Sequence, residues 1–169
     1  MIIHCSQKLA AKLPNVSKAP LQEESSLGSW HALLYSLDRR QCVMFCHDVT
    51  RYCLFIPGLR KTHFAELGDA SFRRLYLATL QAAGCPVAQI KRAELALGPV
   101  HFDTATDRSV QGSINIARRD LEYRAYEAAN VMDLDPIEVS LWLNQRPVRA
   151  RGKLLWPADE MLKAVAGLS

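Results

Sequence analysis

The sequence predicts an α+β fold, with a central, mainly antiparallel sheet flanked by helices. Three observations point there. First, three apolar runs, Trp30–Leu37, Cys42–His47 and Arg51–Ile56, follow one another across short gaps, Asp38–Gln41 and Asp48–Thr50. That spacing belongs to hairpins in a meander over about residues 30–56. Second, the apolar period shifts to 3.6 downstream, as at Phe72, Leu75, Tyr76, Thr79, Leu80 and Ala83. Third, 169 residues at 49% hydrophobic and 22% charged suit a single domain, 1–169, with a substantial core.

In chain order, Ile2–Cys5 reads as an opening strand and Gln7–Leu13 as two helical turns stopped at Pro14. Residues 14–29 carry two prolines, four serines and a glycine, the composition of a loop. Trp30–Leu37 is apolar on both sides, as in a strand covered on both faces or used as an interface. Pro57-Gly58 ends the meander. Phe64–Ala83 reads as one helix closed by Gly84, and Pro86 opens a shorter one to about Leu97. Val100–Thr104 alternates as a strand. The longest predicted helix runs from about 107 to 129, with Asp107 as its N-cap and Thr106 as the alternative. Asp135-Pro136 opens a helix to about Asn144. Residues 145–156 read as extended, and Trp156-Pro157 starts a last helix. Trp142 and Trp156 are assigned to the core.

The net charge is +4, and residues 141–158 hold Arg146, Arg149, Arg151 and Lys153 with no acid. The five cysteines include no C-x-x-C pair. The first residues lack the basic and long apolar regions of a signal peptide, and no apolar run approaches the ~20 residues of a membrane span. The compartment expected is a reducing cytoplasm.

The most informative stretch is residues 107–119. On a helix, Arg108, Gly112, Asn115 and Arg119 share one exposed stripe, with Ser109 and Ser113 beside it. A helix start with free N–H groups, arginine and hydroxyls is a seat for an anion or a backbone. The blander expectation is that Arg108 and Asn115 tie the helix to neighbouring strands while Gly112 permits close packing. His4, Cys5 and His31 are the catalytic candidates: Cys5 or Cys46 beside His4 or His31 would make a thiol–imidazole pair. Cys42 and Cys46 lie ~13 Å apart along one strand, too far to share an ion, so no metal or cofactor is expected. Asp103, Asp107, Asp120 and Glu122 straddle the stretch without the clustering of a two-carboxylate metal centre. In an extended segment Arg149, Arg151 and Lys153 point the same way and would meet phosphate or an acidic partner.

Three blocks carry a resemblance: Met1-Ile-Ile-His-Cys-Ser-Gln-Lys-Leu9; Trp30-His31 with Asp38-Arg-Arg-Gln-Cys-Val-Met-Phe45 and Pro57-Gly58-Leu59; and Arg108-Ser-Val-Gln-Gly-Ser-Ile-Asn115. Leu143-Asn144-Gln-Arg-Pro147 is a weaker fourth. In this order they resemble an uncharacterised bacterial domain family, a domain of unknown function. The resemblance implies a small, single-domain, cytoplasmic bacterial protein and brings no activity, cofactor or catalytic residue. The family pattern carries an acid after the asparagine, where this chain has Ile116.

Three functions follow as expectations. The first is a non-enzymatic binding or regulatory module, its nucleic-acid or acidic-protein partner held by the helix start 107–119 and the segment 146–153. The contact residues would be Arg108, Ser109, Ser113, Asn115, Arg119, Arg149, Arg151 and Lys153. The second is a hydrolase-type enzyme with a pocket from His4, His31, Arg108, Ser109 and Asn115. The third is a structural homo-oligomer or accessory subunit using the apolar sheet.

Overall fold

The computed structural model describes residues 1–169. Its centre is a five-stranded mixed sheet built from β1 (Ile2–Cys5), β2 (Trp30–Leu37), β3 (Arg40–His47), β4 (Cys53–Ile56) and β5 (His101–Asp103), in the order β4-β3-β2-β1-β5. The meander β2-β3-β4 is antiparallel and carries the long ladders, while β1 pairs in parallel with both β2 and β5. A small antiparallel hairpin, β6 (Val148–Ala150) and β7 (Lys153–Leu155), stands apart.

Helices cover both faces. On one side lie α1 (Gln7–Ala10), α2 (Arg73–Ala82), α3 (Val87–Leu97) and α6 (Pro157–Ala166), against Ile3, Trp30, Ala32, Val43, Phe45 and Leu54. On the other lie α4 (Arg108–Glu127) and α5 (Pro136–Asn144), against Cys42, Met44, Cys46, Cys53 and Phe55. Strand side chains alternate, so β3 sends Val43 and Phe45 to the first core and Cys42, Met44 and Cys46 to the second. The two-sided apolar meander is thus covered by helices and is not itself an exposed interface. No helix is long and apolar enough to cross a membrane.

Several expected boundaries move for identifiable reasons. The first hairpin turn has two residues, Asp38 and Arg39, both at positive φ, so β3 starts at Arg40. The first helix stops at Ala10, capped at its start by Ser6. Arg51 also has positive φ and belongs to the turn before β4. The helix expected over Phe64–Ala83 divides into a 3₁₀ segment (Lys61–Glu66), a π-helical segment (Leu67–Phe72) and α2. Gly68 lies so close to β5's approach that a Cβ there would sit 2.7 Å from the Val100 side chain. Asp107 and Asp135 are the N-caps expected, each carboxylate accepting two backbone N–H groups.

The extended segment 145–156 is a hairpin, turned at Arg151 and Gly152 through positive φ. Arg149 pairs with Leu154 and Ala150 with Lys153, so Arg149 and Lys153 occupy opposite faces of the ribbon. Arg151 lies 3.4 Å from Asp107 as an ion pair. The three cations therefore do not form one stripe. Trp156 is half exposed, whereas Trp142 packs, partly buried, against the second core, with the Arg124 and Arg146 guanidiniums against its ring.

Candidate functional site

The registers of four ladders place one row of side chains across the sheet: Asp103, His4, His31, Cys46 and Cys53. Side chains paired across a ladder share a face. This row faces α4 and α5. Its cysteine half is packed into the second core, and its two histidines line a cleft under the first turns of α4, with Asp103 buried behind them.

That cleft sits where the topology opens one. Strands β1 and β5 are parallel neighbours. From the carboxyl end of β1 the chain turns to α1 on one face, and from that of β5 it turns to α4 on the other. Adjacent parallel strands whose helices leave to opposite faces create a crevice at their carboxyl ends, where ligands bind in open sheets. A cavity of about 180 Å³ occupies it, lined by His4, Ser6, His31, Gln111 and Asn115 among others.

The polar network there is directional. Asp107 donates its backbone N–H to His31 Nε2 at 3.0 Å. His31 therefore keeps its proton on Nδ1 and donates it to Asp48 Oδ1 at 2.7 Å. Ser29 Oγ donates to the other Asp48 oxygen at 2.7 Å. Burial pushes the Asp48 carboxyl up, but the hydrogen bonds from His31 and Ser29 outweigh it and hold it below the usual carboxylate range.

His4 is arranged differently. Its Nδ1 donates to Asp103 Oδ1 at 2.5 Å. Asp103 is fully buried and also accepts the N–H groups of Leu21 and Ala105. Burial again raises that carboxyl, and the Leu21, His4 and Ala105 donors more than compensate, leaving it low. His4 Nε2 has no close partner; Asp48 Oδ2 lies 3.9 Å away, and the two imidazole centroids are 4.8 Å apart. One imidazole nitrogen is thus open, on a ring oriented by a buried carboxylate. A single open nitrogen does not make the three- or four-donor set that zinc requires.

The other expected site residues fall into place unevenly. His4, His31 and Asn115 line one cavity, as the enzyme reading required. Arg108 and Ser109 do not line it. Ser109 Oγ accepts from Arg51 Nη2 at 3.0 Å, and Arg108 points to solvent. Ser113 turns inward and donates to the Ser109 carbonyl, so it leaves the exposed stripe. The helix start is not an open anion seat. Asp107 Oδ1 takes the N–H groups of Ser109 and Val110 at 2.7 and 3.2 Å, and the Asp107 carbonyl takes that of Gln111. Burial raises the Asp107 carboxyl, but the Val110 and Ser109 N–H groups and the charge of the buried Arg51 prevail and hold it low.

Neither cysteine pairing forms. Cys5 follows His4 on the same strand, so its thiol points to the opposite face and donates to the Ile3 carbonyl. Burial, with the Asp103 charge, pushes that thiol up to about 12. Cys46 lies beside His31 in the row, but both His31 nitrogens are occupied, and the Cys53 thiol and burial raise Cys46 well above its ordinary value. All five cysteines are buried and free. A charged thiol reagent at about pH 8 is expected to label Cys5 only at the rate of unfolding, and all five in denaturant. Rapid labelling of Cys5 in the native protein would contradict this placement.

Residue-level reasoning missed Asp48 and Gln111, and took Asp103 only as a metal-type carboxylate. Asp48, between two strands, carries the signal of a turn residue, which masked its contact with His31. Asp103 ends an alternating strand, but its match to His4 depends on a register that no local pattern gives.

A family model for a domain of unknown function, DUF6933, matches residues 2–160. No curated protein and no solved structure matches the chain. The matched range takes in every strand of the sheet, the Asp48 and Asp103 pairs and the whole of α4. The chain belongs to the DUF6933 family.

Proposed function

We propose that the cleft between β1, β5 and α4 binds a small polar molecule and that His4 exchanges a proton with it. The observation carrying this reading is the 2.5 Å contact from His4 Nδ1 to buried Asp103, which leaves Nε2 without a hydrogen-bond partner on a histidine that lines the cavity. A carboxylate behind an imidazole fixes its tautomer and stabilises the imidazolium once a proton is taken. The cavity adds the amides of Gln111 and Asn115, which offer donors and acceptors for orientation. It holds no activated nucleophile, so the chemistry within reach is acid–base. His31, bonded at both nitrogens, positions the start of α4 over the cleft.

Contact with nucleic acid or an acidic protein rests on charge alone, and the hairpin divides that charge between two faces. A thermal-shift screen of small polar compounds tests the cleft. Compounds that raise the melting temperature of the wild type should bind at least about tenfold more weakly to His4→Gln, and unchanged to Arg149→Ala. Ligands that bind His4→Gln as well as wild type, or a broad screen with no ligand, would remove the reading.

A further inference from the structure

The outward face of α4 has no partner within the chain. Ile116, Tyr123 and Tyr126 are 45%, 75% and 91% exposed. Gly112 and Arg119 are exposed on the same side. Gly112, Ile116, Arg119, Tyr123 and Tyr126 are spaced alternately four and three residues apart, the spacing of a helix seam.

Gly112 is the anomalous member. Glycine is among the least favourable residues inside a helix. A Cβ at Gly112 would meet no atom within 4 Å, so close packing inside this chain does not account for it. A bare backbone on an exposed seam admits close approach from outside.

The charge on this face is arranged end to end. Arg108 opens α4 and Glu127 ends it, and both are exposed. Such a helix is complementary to itself when antiparallel. With a two-fold axis between Ile116 and Arg119, Gly112 meets Tyr123, Ile116 meets the aliphatic stem of Arg119, and Arg108 meets Tyr126 and Glu127. Each contact occurs twice, as an isologous interface requires.

We propose that the exposed face of α4 docks a second copy of this chain as an antiparallel, two-fold helix pair. The proposal is independent of the cleft and its ligand. Size-exclusion chromatography with light scattering at about 100 μM chain should give twice the chain mass. Tyr123→Glu and Gly112→Lys should each give a monomer with wild-type circular dichroism. Gly112→Ala, which favours the isolated helix, should weaken the dimer by about tenfold or more. A wild type monomeric at that concentration overturns the proposal. So does a dimer that survives both charged substitutions, or a monomer that binds a single-stranded oligonucleotide through Tyr123 and Tyr126.

Discussion

Asp103→Ala is expected to lower folding stability by about 3–5 kcal/mol, because three donors lose one buried acceptor at once. The His4 ring, the Leu21 N–H and the Ala105 N–H all converge on that carboxylate. The Leu21 contact pins the 14–29 loop, and the Ala105 contact holds the turn that leads from β5 toward α4. Urea unfolding measures the loss; one below about 1 kcal/mol would show that water replaces the carboxylate. Asp103→Asn keeps one acceptor oxygen, costs less, and separates the site from the fold: it should retain the native spectrum yet lose ligand binding.

The pH dependence has a definite sign. Asp103 and Asp48 are both depressed in the folded chain. Their stabilisation is therefore complete above the ordinary carboxylate range, at about pH 4 and higher, and is lost as pH falls through the lower folded values. Asp103→Asn removes one such contribution, leaving those of Asp48 and Asp107, so its stability should fall less steeply than wild type below about pH 4. An equal slope would mean that Asp103 is not the carboxylate being titrated.

The elements were legible where the signal is local. Asp107 and Asp135 announce helix starts, and the apolar runs from Trp30 to Ile56 announce a meander covered on both faces. The 61–82 region was not legible as three segments, because the surface it packs against, with Gly68 under Val100 and Phe102, comes from across the fold. The basic segment misled for a similar reason. Its alternation suits a strand, but Arg151 adopts positive φ at a turn, a conformation unusual for arginine.

The site was legible in part for a deeper reason. His4, His31 and Asn115 stand out by chemistry, and all three reach the same cavity. What makes them a site is the partnership of Asp103 with His4 and of Asp48 with His31. The second follows from the β2–β3 hairpin, which brings the turn after β3 beside His31, but the first is set by a parallel register between β1 and β5, almost a hundred residues apart in sequence. Parallel register depends on how two distant strands pack, so it leaves no trace in either strand alone.

Asn144→Ala is the second large effect, expected to cost about 2–4 kcal/mol and to promote aggregation. Strand β4 is an edge of the sheet, and its outer N–H and C=O groups need partners other than a strand. Helix α5 supplies them from its side chains. Asn144 Oδ1 accepts the Cys53 N–H at 2.6 Å, and Nδ2 donates to the carbonyls of Cys53 and Ser140, each at 2.7 Å. Ser140, one turn earlier, accepts the Phe55 N–H on its hydroxyl at 3.1 Å. Asn144 thus imitates a strand residue, and three buried groups lose their partner if it is truncated. Ser140→Ala removes one acceptor and should cost about 1 kcal/mol. Because both residues close the same edge, the double variant should depart from additivity, which a double-mutant cycle in urea reads directly. Full additivity with no aggregation would mean that the edge is protected by α5's apolar packing through Val139 and Leu143 rather than by these two polar side chains.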